Sequence, residues 1–284
     1  MTPGLRFRTA LNQGTPLQIA GVINAYAALL AQRAGFSALY LSGAGVANHS
    51  YGIPDVGDTT LADVLIDVRR ITARVVLPLL VDIDTGWDDP ALAVREMGAA
   101  GAAAIHLEDQ VPAKKCGHLP GKQLVPVAEM VERIKAATTG KPNPEFVVMA
   151  RTDAAANEGV NGAIARAKAY VAAGADMIFA EALHRLDDYR NFCAAVKVPV
   201  LANLTEFGQT PYFTLDELHT AGVAMALYPL SASRAAASAS QEVYNVIRKD
   251  GTQKAIIGKM QTRTDLYEIL GYTPPRRPSD PFAP

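Results

Sequence analysis

A (β/α)8 TIM barrel of the α/β class is predicted by three observations: eight short apolar segments, helical patterns between them, and an Ala-Gly pair that repeatedly closes a helix just before the next strand. The apolar segments are 17–22, 38–41, 79–83, 103–107, 146–150, 176–180, 198–202 and 223–228. Between them, 89–98, 126–138, 162–173 and 215–221 carry apolar residues at three- to four-residue spacing, which turns one helical face toward a sheet. Ala34-Gly35, Ala100-Gly101, Ala173-Gly174 and Ala221-Gly222 stand where a helix must give way to a strand, a position that favours glycine. A doubly wound sheet is the competing arrangement. No Gly-x-Gly-x-x-Gly follows a strand at a helix start, and eight strand–helix units in 284 residues suit the barrel better. A single domain over 1–284 is expected, closing from about residue 241 with a helical extension and a tail too rich in proline for helix or strand.

Composition narrows the function classes. With 27 Lys and Arg against 28 Asp and Glu, the formal net charge is −1, and no basic tract offers a nucleic acid its electrostatic footprint. No run approaches the length of a membrane span, and the N-terminus lacks the apolar stretch of a secretory signal, so the expected location is the cytoplasm with no membrane partner. The only cysteines, Cys116 and Cys193, have no Cys-x-x-Cys spacing, which argues against a disulfide framework or a thiolate zinc site.

A barrel of this kind places its chemistry at the C-terminal ends of the strands, and the polar residues fall there. They are Tyr40 with Ser42 and Gly43 after the second strand, Asp82 with Asp84 after the third, and His106 with Glu108 at the fourth. Arg151 follows the fifth, Glu181 the sixth, Asn203 to Thr205 the seventh, and Pro229 to Arg234 the eighth. Asp82 and Asp84 flank Ile83, so simple alternation sends both carboxylates into the mouth, where they repel unless a cation joins them. With oxygen from Glu108 or water, the pair suits a hard octahedral ion, Mg²⁺ or Mn²⁺. His106 and His118 lack metal-ligand spacing and are read as partners of a carboxylate or of Cys116. Arg151 ends an apolar strand, where a guanidinium faces the mouth and grips a carboxylate bidentately.

The segment Lys114-Lys115-Cys116-Gly117-His118 puts a thiol among cations beside a glycine that leaves the sulfur approachable, the setting of a reactive cysteine. A mouth with a divalent ion, several cations and a thiol suits a small polycarboxylate.

These motifs together resemble the isocitrate lyase and phosphoenolpyruvate mutase superfamily, and within it the 2-methylisocitrate lyases. The resemblance spans essentially the whole chain and is carried by Tyr40-Leu41-Ser42-Gly43, Asp82-Ile83-Asp84-Thr85-Gly86, the 105–110 and 114–118 segments, Ala150-Arg151-Thr152-Asp153, Asn203-Leu204-Thr205-Glu206 and the 228–234 segment. It implies Mg²⁺ on Asp82 and Asp84. It implies substrate contacts from Ser42, Gly43, Ala44, Cys116, Gly117, Arg151, Glu181, Asn203, Leu204, Thr205, Arg234 and Arg263, with Phe179, Leu227 and Pro229 lining a pocket for the extra methyl group. Ala44 stands where many relatives carry a second glycine. The catalytic group becomes Cys116, Tyr40, His118, Lys114 and Glu108, with Tyr40 as first candidate for the base, a metal-bound water or Glu181 as alternatives, and Cys116 as proton donor. The implied reaction is an aldol-type cleavage of 2-methylisocitrate to pyruvate and succinate. The alternative is a related lyase or decarboxylase acting on isocitrate, dimethylmalate or oxaloacetate. A homotetramer with an exchanged C-terminal helix is also implied.

Overall fold

Alternation along eight parallel strands decides which residues fill the barrel and which carry the helices. In a computed structural model, residues 1–12, 15–112 and 121–273 are described. The strands are β1 (Leu17–Gly21), β2 (Ala38–Leu41), β3 (Leu79–Asp82), β4 (Ala104–Glu108), β5 (Val147–Thr152), β6 (Met177–Ala180), β7 (Val200–Asn203) and β8 (Met225–Tyr228). They pair in chain order, and β8 returns to β1 to close the barrel, so no sheet edge is left open. The α-helices are α1 (Pro3–Ala10), α2 (Ala25–Arg33), α3 (Gly43–Gly45), α4 (Leu61–Thr72), α5 (Pro90–Ala99), α6 (Val127–Thr139), α7 (Ala155–Ala172), α8 (Leu186–Val196), α9 (Leu215–Thr220), α10 (Ser231–Asp250) and α11 (Arg263–Leu270).

Two cores follow from the period-two alternation. The inner one stacks Ile19, Ala38, Leu80, Ala104, Met149, Met177, Leu201 and Met225 inside the barrel. The outer one packs Leu39, Val81, Ile105, Val148, Ile178 and Ala226 against apolar helix faces such as Val68, Met97, Ile134 and Tyr170. Helix α1 closes the N-terminal end by burying Phe7 and Ala10 in the inner core. Thr2 caps it by accepting from Leu5 N, and Arg8 ties it to the sheet through the Glu145 carbonyl (2.9 Å) and Asp176 (2.7 Å). With that end filled, access lies at the C-terminal mouth.

All eight expected strands are present, within two residues of their expected ends. The glycines of the four Ala-Gly pairs take positive φ, from +81° to +110°, at each helix-to-strand turn. Two helices differ from expectation. Helix α7 begins at Ala155 and not at 162, and Gly159 (φ +71°, ψ +176°) breaks it near its start. Helix α10 begins at Ser231, ahead of the helical extension expected from about residue 241, and ends at Asp250, where Gly251 turns left-handed at φ +69°.

By its contacts the backbone divides at Ser233: the barrel occupies Met1–Ser233, and the second unit begins at Arg234. In the second unit Lys259 pairs with Glu242 at 2.8 Å, and Tyr267 meets Tyr272 edge to face. Tyr244, Ile247, Ile257, Met260, Leu270 and Tyr272 are exposed. No helix of the described residues is long and apolar enough to cross a membrane.

Gly21 marks the tightest backbone approach in the barrel wall. A Cβ there would lie 1.8 Å from the Pro229 carbonyl oxygen, so β1 and β8 meet only because that atom is absent. Gly21→Ala is expected to destabilise the barrel by about 1–3 kcal/mol through enforced backbone shift, read as a lower urea midpoint with unchanged slope. An unchanged midpoint would mean that the seam opens without cost.

Candidate functional site

The polar residues at the mouth continue the inward parity of the apolar interior. Asp82 follows Leu80, His106 and Glu108 follow Ala104, Arg151 follows Met149, Glu181 follows Phe179, and Asn203 follows Leu201. Register makes Asp82 the neighbour of His106, and Glu108 the neighbour of Arg151. All of these polar side chains are buried.

On one side lies a carboxylate pair. Asp82 Oδ2 accepts from Gly43 N at 3.1 Å and from the Tyr40 hydroxyl at 3.3 Å, while Oδ1 accepts from Asp84 N at 3.0 Å. The Tyr40 hydroxyl also lies 2.9 Å from His106 Nε2, and the two rings stack with centroids 5.6 Å apart. Burial first, and then the charge of Asp82, push the Tyr40 phenol well above its ordinary range, so in this mouth it is a hydrogen-bond donor and not a free base. The simple alternation expected for Asp82 and Asp84 does not hold: β3 ends at Asp82, and Asp84 sits beyond it in a left-handed turn at φ +50°. That turn still brings the two together. A methyl at Gly43 would lie 3.1 Å from Asp84 Oδ1 and 3.2 Å from Asp82 Oδ2, so the glycine leaves room for both.

Two strands further round, at the end of β5, lies Arg151. Its Nε and Nη2 reach Asp153 Oδ2 (2.9 Å) and Oδ1 (3.2 Å) in a bidentate pair, Nε also approaches Glu108 Oε2 at 3.3 Å, and Nη2 approaches Glu181 Oε2 at 3.1 Å. The carboxylate it grips in the expected fork is thus the protein's own Asp153. Burial works against the Arg151 charge, but Asp153, Glu108 and Glu181 outweigh it and raise its pKa well above the ordinary value. The guanidinium carbon also stands 5.1 Å from the Phe179 ring centre. Glu181 accepts from Ala182 N at 2.9 Å and from Asn203 Nδ2 at 3.4 Å, which joins the ends of β6 and β7 to the network.

Sequence reasoning missed the supports behind this network. Lys122 is buried with Nζ 3.0 Å from Asp153 Oδ1. Asp109 accepts from Asp153 N (2.9 Å), Thr152 Oγ1 (2.8 Å) and the Tyr170 hydroxyl (2.8 Å), with Arg166 at 3.6 Å, and burial raises its pKa. A lysine two residues past Pro120 reads as a solvated cation, and no spacing announces its partner.

The remaining expectations divide. Ser42 and Thr205 are buried at the mouth, and Phe179 and Leu227 belong to the upper inner core, with Pro229 buried beside Gly21. Ala44 has helical torsions within α3, so the left-handed freedom of glycine is not required there. The Leu204 side chain packs in the outer core, so it is the backbone of Leu204, with N donating to the Leu227 carbonyl at 2.9 Å, that belongs to the strand end. Cys193 is partly buried, and burial pushes its thiol up to about 11, which disfavours the thiolate. Lys114, Cys116, Gly117 and His118 lie outside the described residues, and Arg234 and Arg263 belong to the second unit. The base of the cysteine segment is described: Gln110 bridges Leu124 antiparallel, Val111 N donates to the Gln123 carbonyl, and Arg133 Nη1 donates to the Gln110 carbonyl at 2.9 Å.

The donor set fits a magnesium-type ion. No three acidic, histidine or cysteine side chains among the described residues form a ready-made cage, but Mg²⁺ keeps several waters and is held through one or two carboxylates with substrate oxygens. Charge agrees: among the described residues of the mouth, Asp82, Asp84, Glu108, Asp153 and Glu181 face the fixed cations Arg151 and Lys122.

Comparison with known proteins gives this geometry a family. The sequence profile of phosphoenolpyruvate phosphomutase matches residues 7–248. The 2-methylisocitrate lyase of Shewanella oneidensis is 58% identical over 95% of this chain and 93% of its own. The crystal structure of a 2,3-dimethylmalate lyase superposes with a TM-score of 0.88 at 33% identity, covering 95% of this chain and 92% of that one. A phosphonopyruvate hydrolase solved with oxalate and Mg²⁺ has a TM-score of 0.82 at 31% identity, covering 95% of both chains. The chain belongs to the phosphoenolpyruvate mutase and isocitrate lyase superfamily, in its 2-methylisocitrate lyase branch.

Proposed function

We propose that this protein is a 2-methylisocitrate lyase that cleaves its substrate to pyruvate and succinate with Mg²⁺ at Asp82 and Asp84. The observation that carries this reading is the two-sided mouth, with a buried carboxylate pair around Gly43 on one side and a buried, fully charged Arg151 on the other. A hydroxy-tricarboxylate offers an oxygen pair to the first and a carboxylate to the second. When bound, Mg²⁺ supplies Lewis-acid stabilisation of the charge that develops on the substrate hydroxyl oxygen.

In this reading Arg151 binds a substrate carboxylate through Nη1, the guanidinium nitrogen that pairs with no described residue. Ser42 and the backbone of Gly43 and Ala44 hold the half that becomes pyruvate, and Asn203 and Thr205 hold the half that becomes succinate. The substrate hydroxyl loses its proton and becomes the ketone of pyruvate. The adjacent carbon–carbon bond breaks, and its electron pair stays with the succinate half as an aci-carboxylate. Tyr40 takes the hydroxyl proton as it passes its own to His106 Nε2, 2.9 Å away, which avoids the free phenolate that burial and Asp82 disfavour. Asn203, Thr205 and His118 donate to the aci-carboxylate, and Cys116 returns a proton to its carbon. Phe179, Leu227 and Pro229 receive the substrate methyl group.

The oligomer we propose is a homotetramer in which the C-terminal helix is exchanged between subunits. The exposed Tyr244, Ile247, Ile257, Met260 and Leu270 support it, since a second chain would take them out of water. Light scattering is expected to return the mass of four chains, and a monomer mass at working concentration excludes the exchange.

A coupled pyruvate assay with 2-methylisocitrate and Mg²⁺ tests the function. Pyruvate release abolished by EDTA is expected, with glyoxylate from isocitrate appearing roughly 10- to 200-fold more slowly, the discrimination that one methyl in an apolar pocket supplies. No pyruvate from folded protein sinks the lyase reading. Cys116→Ser is expected to lower turnover by about 10²- to 10⁴-fold while succinate affinity is kept, as loss of a proton donor predicts; wild-type turnover would remove Cys116 from the reaction.

A further inference from the structure

The Arg151 fork is held by acceptors that compete for the same nitrogen. Nη2 is shared between Asp153 Oδ1 at 3.2 Å and Glu181 Oε2 at 3.1 Å, so its position depends on how strongly each carboxylate draws it. Lys122 Nζ sits 3.0 Å from that same Asp153 Oδ1. Both partners are dry, with side-chain exposures of 2% for Lys122 and 0% for Asp153. Burying an ammonium is costly unless its pairing is close, and a surface location would be the default for a lysine on this segment.

We infer that Lys122 is a positioning residue: by satisfying Asp153 at Oδ1 it keeps Arg151 Nη2 shared with Glu181, spanning the mouth, when it would otherwise fold onto Asp153. The inference rests on the lyase reading only for the role of Arg151 toward substrate. The geometry of the relay stands apart from it. Asp153 has no solvent to swing into, because its side chain is fully buried, and its backbone N is held by Asp109 Oδ1 at 2.9 Å. Lys122 cannot drift either. Its carbonyl accepts from Asn157 Nδ2 at 3.0 Å, and the next residue, Gln123, bonds Val111 across the base of the cysteine segment. The ammonium is thus anchored on the described residues that follow the cysteine motif in sequence and delivered to the end of β5. Removing it leaves Asp153 with one cation where it had two, and Nη2 is the nearest donor able to compensate. Arg151 Nη1, on the same rigid plane, turns with it.

The test pairs structure with kinetics. Lys122→Met is expected to shorten the Nη2 contact to Asp153 and lengthen the 3.1 Å contact to Glu181 in a crystal structure of the variant. The KM for 2-methylisocitrate and the dissociation constant of succinate should rise by roughly ten- to a hundredfold, the scale of a small misplacement of a binding group. Lys122→Arg, which keeps the cation, should recover most of that loss. In an Asp153→Asn background, where no carboxylate remains to be neutralised, adding Lys122→Met should change KM less than twofold. A guanidinium that stays shared between Asp153 and Glu181 in the methionine variant overturns the inference even if activity falls. So does an undiminished kinetic effect in the Asp153→Asn background, which would make Lys122 a direct substrate contact. Wild-type protein without lyase activity removes the proposed function, and the crystal structure of the variant still judges Lys122.

Discussion

Arg151 lies inside the barrel mouth among Asp153, Glu108 and Glu181, and this buried ion cluster joins the ends of β4, β5 and β6. Each of these charges alone would be costly to bury by several kcal/mol. Together they are tolerable because every carboxylate finds a donor and the guanidinium spreads its charge over two edges. A second tier behind them, Lys122 on Asp153 and Asp109 on the Asp153 and Thr152 groups, holds the acceptors still. The cluster is excluded from solvent by the apolar interior below it, where Phe179 lies under the guanidinium.

The part of the mouth at the end of β3 works by repulsion held in check. Asp82 is fixed by three donors, Gly43 N, Asp84 N and the Tyr40 hydroxyl, all pointing at its two oxygens. Asp84 is brought alongside by a left-handed turn that L-residues other than Asn and Asp rarely adopt. Ala182, next to Glu181, shows the same departure at φ +55°. Strained backbone at two strand ends, both beside carboxylates, fits a mouth shaped for a ligand more than for its own stability.

These two halves need a rigid frame, and the barrel supplies it from both layers. The inner core ends in Leu227 and Phe179 immediately below the polar groups, and α1 seals the far end with Phe7. The outer core locks the strands to their helices, so register errors that would move Glu108 away from Arg151 are excluded. The cysteine segment leaves this frame from a base stapled by the Gln110–Leu124 bridge and by Arg133.

The eight-strand barrel was legible in the sequence because apolar runs and Ala-Gly turns are local patterns, and local periodicity is what alternating strands and helices require. The mouth residues were legible for the same reason: once strand ends were placed, Asp82, His106, Glu108, Arg151, Glu181 and Asn203 followed by parity. Their partners were not. That Arg151 grips Asp153 and shares Nη2 with Glu181 depends on register between strands and on side-chain reach, which no single-chain spacing encodes. Alternation misjudged Asp84, because β3 stops at Asp82 and a turn takes over. Leu204 entered the site through the family resemblance, and its own parity sends its side chain outward, which leaves its backbone at the strand end. Lys122 shows the limit most plainly: a lysine in a polar segment looks solvated, and only the tertiary structure, by folding the segment back over β5, turned it into a buried counter-ion.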